Sequence, residues 1–404
     1  MADSIFTGLK VVDFTWAAAG PIVTKQLGDN GATVIKVESV HHPDSVRLGG
    51  PYTDDKPGIN RSGFFADFNS SKLSLAVNMG HARAAEIIMP LLKWADVVAE
   101  SFRPGVMERW GFGYEQIRKI NPSVIMLSSS LYGSDGPWSQ HPGFGAQGQA
   151  LAGLHAMTGW PDRPPAAPKG AYTDSVSPRF AAAALMAAMI HRERTGRGQY
   201  LQISQIETAI GLLAPQMFEQ QLAGTEARRN GNVKPEAILH GVFRCAGEER
   251  WIAIEIEDET QWSGLMEVLA KTGELGAGLS GPESWTRLER VDIERAVEDL
   301  TVGWDAFELM DALRAAGVPA GVALKGSDLL NDPTLRERGH FWRLEHPEMG
   351  SLEYNGPAYR FSDTPSRLTR AAPCLGEDSA AVLADVLGFS SSQIDDFQKN
   401  GLLA

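Results

Sequence analysis

The chain has 404 residues, 43% of them hydrophobic and 22% charged, with a formal net charge of -13. That length and apolar content are enough for two domains with full cores, and they exclude disorder and fibrous structure. The acidic balance repels nucleic acid and anionic membranes, so neither is an expected partner, and an anionic ligand must meet a local basic patch.

No apolar run reaches the ~18 residues of a membrane span. The opening Met-Ala-Asp-Ser-Ile-Phe-Thr-Gly carries an acid where a secretory signal carries Lys or Arg, so a cytoplasmic location is the expectation. The two cysteines, Cys245 and Cys374, lie outside any C-x-x-C spacing. The nine histidines include no H-E-x-x-H, and His41-His42 reads as a solvated turn. Neither a disulfide framework nor a metal is expected.

In chain order, residues 9–14 read as a strand, Pro21 to Asn30 as a helix and 32–38 as a second strand, the opening of an α/β domain. A helix near Ala82 to Trp94, a strand 95–99, a helix Tyr114 to Ile120 and a strand 123–128 continue the alternation, which predicts βαβ crossovers and a parallel sheet. The clearest helix signal runs from Arg179 to Arg194, with Ser177 as N-cap, Pro178 at the first helical position and Gly196 beyond the end. A strand, Tyr200 to Ser204, and a helix carrying Glu207 follow. Gly224 to Pro235 reads as a linker. Beyond it come a hairpin of 242–245 with 251–256 and helices near Gln261 to Ala270 and Trp304 to Ala316. From about Gly339 the sequence reads as loops, with two short helices at Ser379 to Leu387 and Ser392 to Asn400.

Asp174 stands just ahead of the long helix, where free backbone N–H groups and the macrodipole favour an ionised carboxylate. Such a group can attack an activated acyl carbon, or it can simply cap the helix. Phe102-Arg103-Pro104-Gly105 follows a strand and so falls at the carboxyl edge of the sheet, which makes Arg103 and Arg109 candidates for phosphate. Lys72 is a further basic candidate. The first strand-helix turn lacks G-x-G-x-x-G, and Thr195-Gly196-Arg197-Gly198-Gln199 runs from helix to strand, so neither supports a nicotinamide cofactor.

Taken together the segments resemble the class III CoA-transferases, the CaiB/BaiF family of formyl-CoA:oxalate and carnitine CoA-transferases. The matches run in order: Val12-Asp13-Phe14 with Ala19-Gly20-Pro21, 31–38, Phe68-Asn69 with Lys72, Phe102 to Gly105, Arg109 with Gly111 to Glu115, Asn121-Pro122, Asp174, 195–199, Gly317 to Gly321, and Leu375-Gly376-Glu377. The resemblance implies a Rossmann-like large domain from residues 1–222 and 339–404. It also implies linkers and a smaller α+β domain at 223–338, and two ring-like subunits threaded into a dimer of identical or related chains. Asp174 matches the family's nucleophile, which passes through a mixed anhydride and an aspartyl-CoA thioester. The coenzyme A contacts that the resemblance implies are Ala18, Ser39, Lys72, Ser101, Phe102, Arg103, Arg109 and Phe144.

Ala18 and Ser39 stand where the formyl-CoA enzymes have polar or basic groups, and His240-Gly241-Val242-Phe243 stands in place of their tetraglycine loop. The expected substrates are therefore an acyl-CoA, with succinyl-CoA as donor, and a larger free carboxylate. The alternatives are an α-methylacyl-CoA racemase, whose second acid-base histidine is replaced here by Phe144, and an inactive subunit of a mixed dimer.

Overall fold

The structure, a computed structural model, describes residues 4–271, 279, 286 and 288–403. The first three residues, part of the opening segment read above, lie outside the described residues. The chain divides into two compact units, one of residues 1–155, 167–227 and 334–404 and one of 156–166 and 228–333.

The first unit opens with β1 (Lys10–Phe14), α1 (Ala19–Gly28), β2 (Thr33–Glu38), α2 (Gly63–Phe68), β3 (Lys72–Ala76), α3 (Ala84–Trp94), β4 (Val97–Glu100), α4 (Val106–Arg109), α5 (Tyr114–Ile120) and β5 (Ile125–Ser130). It continues through α6 (Gly145–Leu151), α7 (Leu154–Met157), α8 (Tyr172–Thr195), β6 (Tyr200–Ser204), α9 (Gln205–Ile210) and α10 (Ala214–Ala223). The second unit holds β7 (Leu239–Arg244), β8 (Trp251–Ile256), α11 (Glu259–Leu269), α12 (Arg290–Thr301), α13 (Ala306–Ala315) and β9 (Ala320–Val322). The first unit resumes with β10 (Phe341–His346) and β11 (Gly350–Asn355).

The six strands β3-β2-β1-β4-β5-β6 form one parallel sheet in that order. Parallel strands are covered on both faces, and the pleat decides which residue faces which helix. Val12, Phe14, Ile35 and Val37 face α3 and α5. The C-terminal residues Val382, Leu383, Phe397 and Leu402 join the same cluster. One residue out of phase, Val11, Val34, Val97 and Ala99 face Val23 and Leu27 of α1 and Ala181, Leu185 and Ala188 of α8. The alanines of α8 allow that close approach. In the second unit, β7, β8 and β9 form an antiparallel sheet, and Trp262, Leu265, Leu309 and Leu313 pack in its core.

Three readings change. Residues 72–76, to which the sequence reading gave no element, form β3, opened by Lys72. The region after Gly339 contains the antiparallel pair β10–β11, whose register runs from Phe341 opposite Asn355 to His346 opposite Gly350. The long helix begins at Tyr172, five residues before Ser177, and Pro178 lies inside it.

Asp13, on β1, is fully buried against α1 and pairs with Lys72 at 2.9 Å, while the Thr24 hydroxyl donates to the same carboxylate at 2.6 Å. Burial opposes its charge, but Lys72, Lys36 and the hydroxyls of Thr15 and Thr24 hold the carboxyl down to about 2. Removing one partner leaves the other charged in an apolar interior, which typically costs about 3–5 kcal/mol. Asp13→Ala should therefore lower the urea midpoint sharply, and Asp13→Ala/Lys72→Met should recover most of the loss. Equal midpoints for the single and double variants would show that the pair does not act as a unit.

Candidate active site

With strand order 3-2-1-4-5-6, the connections leave β1 and β4 in opposite directions and open a crevice at their carboxyl ends. The turn after β1 carries Trp16 and Ala18, and the segment after β4 carries Ser101, Phe102 and Arg103. The Trp16 N–H donates to Ser101 Oγ at 2.8 Å, which joins the two turns. The Phe102 ring meets Trp16 and Trp110 edge to face at 5.6 and 5.2 Å. Together with Ser39, Val37, His42 and Met79, these aromatics line a cavity of about 340 Å³. Ser39 is buried, Ala18 and Ser101 are half-buried, and Arg103 and Arg109 are exposed, with no ion pair to either among the described residues.

Lys72 does not join this group. Its ammonium is fully buried and donates to Asp13, to Asn69 Oδ1 at 2.8 Å and to the Pro21 carbonyl at 3.0 Å, which commits all three protons. It holds the sheet rather than a phosphate. Phe144 precedes α6 with 70% of its surface exposed.

Asp174 lies farther along the same edge, in the first turn of α8. No local N-cap side chain starts that helix. Instead the buried Gln149 of α6 accepts the Tyr172 N–H at 3.0 Å and donates to the Gly170 carbonyl at 3.1 Å. Thr173 Oγ1 donates to the Gly145 carbonyl at 3.0 Å, a second tie between the helices. Pro178 has no N–H to offer the Asp174 carbonyl four residues before it, so the turn depends on these side chains.

The Asp174 carboxylate lies directly against Gly145, where a Cβ would fall 2.5 Å from Oδ2 and 2.6 Å from Cγ. Only glycine leaves room there. Burial pushes the Asp174 carboxyl up to about 6, against a hydrogen bond from Gln205 that pulls it down. Sequence reasoning expected full ionisation from the helix dipole and missed the opposing effect of burial. It also missed Gln149, Gln205, Gly145 and Trp110. Gly145 and Gln205 follow the carboxyl ends of β5 and β6, and that placement was the available signal.

A doubly wound parallel sheet with a half-buried carboxylate and an aromatic cavity on its carboxyl edge defines an α/β ligand-binding enzyme architecture. The chain belongs to CoA-transferase family III, whose profile matches residues 6–379. It is 29% identical over 390 residues to a succinyl-CoA–D-citramalate CoA-transferase of Chloroflexus aurantiacus, covering 96% of this chain and 95% of that one. It is 32% identical over 335 residues to an acetyl-CoA:oxalate CoA-transferase of Acetobacter aceti, covering 82% and 84%. A CAIB/BAIF family protein from Brucella suis has the same fold, with a TM-score of 0.84 and 28% identity over 95% of this chain and 100% of that one.

Transfer of CoA from a thioester is the class of reaction these relatives share with the chain. Among the described residues, no cluster of three or more His, Cys, Asp or Glu is placed to hold a metal, and no helix is long and apolar enough to cross a membrane.

The raised acidity constant fixes a sign for stability. The folded state holds the Asp174 proton up to about 6, whereas the unfolded chain releases it near the ordinary aspartate value of 3.8. This carboxyl thus favours the fold most below that window, and its contribution is lost as pH rises through it. Asp174→Asn should raise Tm relative to the parent more at pH 8 than at pH 4. The same difference at both pH values would show that burial does not penalise the charge.

Proposed function

We propose that this chain moves CoA from an acyl-CoA donor to a free carboxylate with Asp174 as the nucleophile. The observation that carries the reading is a carboxylate held at the sheet's carboxyl edge by Gln149, Gly145 and Gln205, half-buried and poised near pH 6. Poor solvation makes such an anion a stronger nucleophile than one in water.

Asp174 attacks the thioester carbonyl, the carbon–sulfur bond breaks, and the CoA thiolate leaves behind an aspartyl-acyl anhydride. The thiolate attacks the aspartyl carbonyl, releasing the donor acid and forming an aspartyl-CoA thioester. The acceptor carboxylate then attacks that carbonyl and expels the thiolate, giving a second anhydride. Attack of the thiolate on the acceptor's carbonyl yields the new acyl-CoA and frees Asp174. No net proton is consumed, so no second acid-base group is required. Gly145 and Gln205 lie beside Asp174 and neither is an acid or base at neutral pH, and Phe144 stands where the racemase has its histidine, which favours the transferase over the racemase.

The aromatic cavity of Trp16, Phe102 and Trp110 takes the nucleotide end of the coenzyme, with Ala18, Ser39 and Ser101 at its rim and the unpaired Arg103 and Arg109 toward phosphate. Phe144 flanks the acyl end. Succinyl-CoA is the proposed donor, in line with the activity of the Chloroflexus relative. The working form is a cytoplasmic dimer of this chain with itself or a related subunit. The exposed Phe218 and Leu222 on α10 support association.

Incubation with succinyl-CoA should add one CoA to the protein by mass spectrometry, and Asp174→Ala should show neither the adduct nor turnover. An active Asp174→Ala protein would exclude the mechanism. The rate kcat/KM should climb with pH and level off above about 6, because only the ionised carboxylate attacks. Gln205→Leu, which removes the hydrogen bond that lowers this value, should shift the rise to higher pH.

A further inference from the structure

Glu100 closes β4 and is 5% exposed, yet the strand pairing uses only its backbone. Its side chain turns to the segment that follows, where Oε2 accepts the Phe102 N–H at 2.8 Å and the Ser128 hydroxyl hydrogen-bonds the same carboxyl. Burial pushes this carboxyl up to about 7, against the pull of Ser128 and the Phe102 N–H. Holding an acid there is unfavourable for the fold, so the contact it makes needs a reason.

That reason lies in what packs beneath the segment. On one side of residues 102–110 is the aromatic cavity, with Phe102, Val106 and Trp110 in its wall. On the other is a second cavity of about 240 Å³, bounded by Glu100, Arg103, Glu108, Ser134, Tyr200 and Gln202. Met107 anchors the segment in the core and Phe102 and Trp110 pack against it, but Arg103, Pro104 and Gly105 border the second cavity, so a directed hydrogen bond at Phe102 fixes the height of the turn that carries them.

We propose that Glu100 is a positioning residue for the nucleotide end of the coenzyme, its carboxyl holding through the Phe102 N–H the turn that presents Phe102 and Arg103. This rests on the reading that the aromatic cavity takes the nucleotide. Without the hydrogen bond the turn sinks toward the second cavity, and both the ring wall and the guanidinium leave their places. The thioester end of the ligand, at Asp174, is unaffected.

The test compares an acyl-CoA with the same acyl group on N-acetylcysteamine, a thioester that lacks the nucleotide. Glu100→Leu and Glu100→Asp should raise KM for the CoA thioester about tenfold, the equivalent of one lost hydrogen bond, with kcat kept within about twofold. Neither should alter kcat/KM for the truncated thioester. Glu100→Gln, whose amide oxygen accepts the same N–H, should stay close to the parent on both donors. Equal losses on both donors, no loss on either, or a Gln variant as impaired as the Leu one would overturn the proposal. Should the Leu variant fail to fold, the Asp variant, which keeps the charge but falls short of the N–H, decides the matter. A parent enzyme that uses both thioesters equally well would instead refute the nucleotide assignment of the cavity, while the CoA adduct on Asp174 tests the nucleophile separately.

Discussion

Three fully buried ion pairs hold the carboxyl edge of the sheet: Asp13 with Lys72, Lys36 with Asp44 at 3.0 Å, and Glu38 with Arg47 at 2.8 Å. They stand because their donors and acceptors are met. Lys36 also donates to the Thr15 carbonyl at 2.7 Å, and Asp44 accepts the Ala17 N–H at 2.8 Å. Arg47 reaches Asn60 and the Pro373 carbonyl and lies 3.4 Å from the centre of the Phe65 ring. A half-satisfied set of this kind would be worse than an apolar core. In return the set holds Ala17 at φ 64°, a left-handed conformation that a non-glycine residue adopts only when its surroundings demand it. The first turn of the aromatic cavity is thus shaped by charges beneath it, and those charges come from strands β1 and β2, the start of β3 and the loop after β2.

The sequence showed five of its six parallel strands, because β-branched runs buried on both faces look alike wherever they occur; β3, Lys-Leu-Ser-Leu-Ala, has no β-branched residue and was not read. It also placed Asp174 and Phe102 at strand or helix ends. Lys72 was read as a basic contact to the coenzyme because its neighbours in sequence offer it no counter-charge, and only the fold brings Asp13 to it across 59 positions. The start of α8 was misplaced for a similar reason. Ser177-Pro178 has every local mark of a helix start, but the true cap, Gln149, lies 23 residues before the amide it accepts. The β10–β11 pair was hidden because its strands show half-buried and exposed positions instead of an apolar run. Local pattern records what a segment prefers; the missed features are those in which a distant side chain overrides that preference.

The edge also shows three carboxyls, shielded to different degrees, that titrate in opposite directions. Asp13 is surrounded by cations and hydroxyls and stays ionised, whereas the half-buried Asp174 and the buried Glu100 have few partners and hold their protons more tightly. The difference is one of neighbours rather than depth. A buried acid ringed by partners keeps its charge; one left short of them sits closer to neutrality, and the fold absorbs the cost.

Because Gln149 anchors α8 from a neighbouring helix, the position of Asp174 does not rest on the chain that runs between them alone. Residues between Gly153 and Ala167 can therefore change in length and composition without displacing Asp174. In that stretch a descendant of this enzyme could acquire new preferences for the acids it exchanges while its chemistry stays intact.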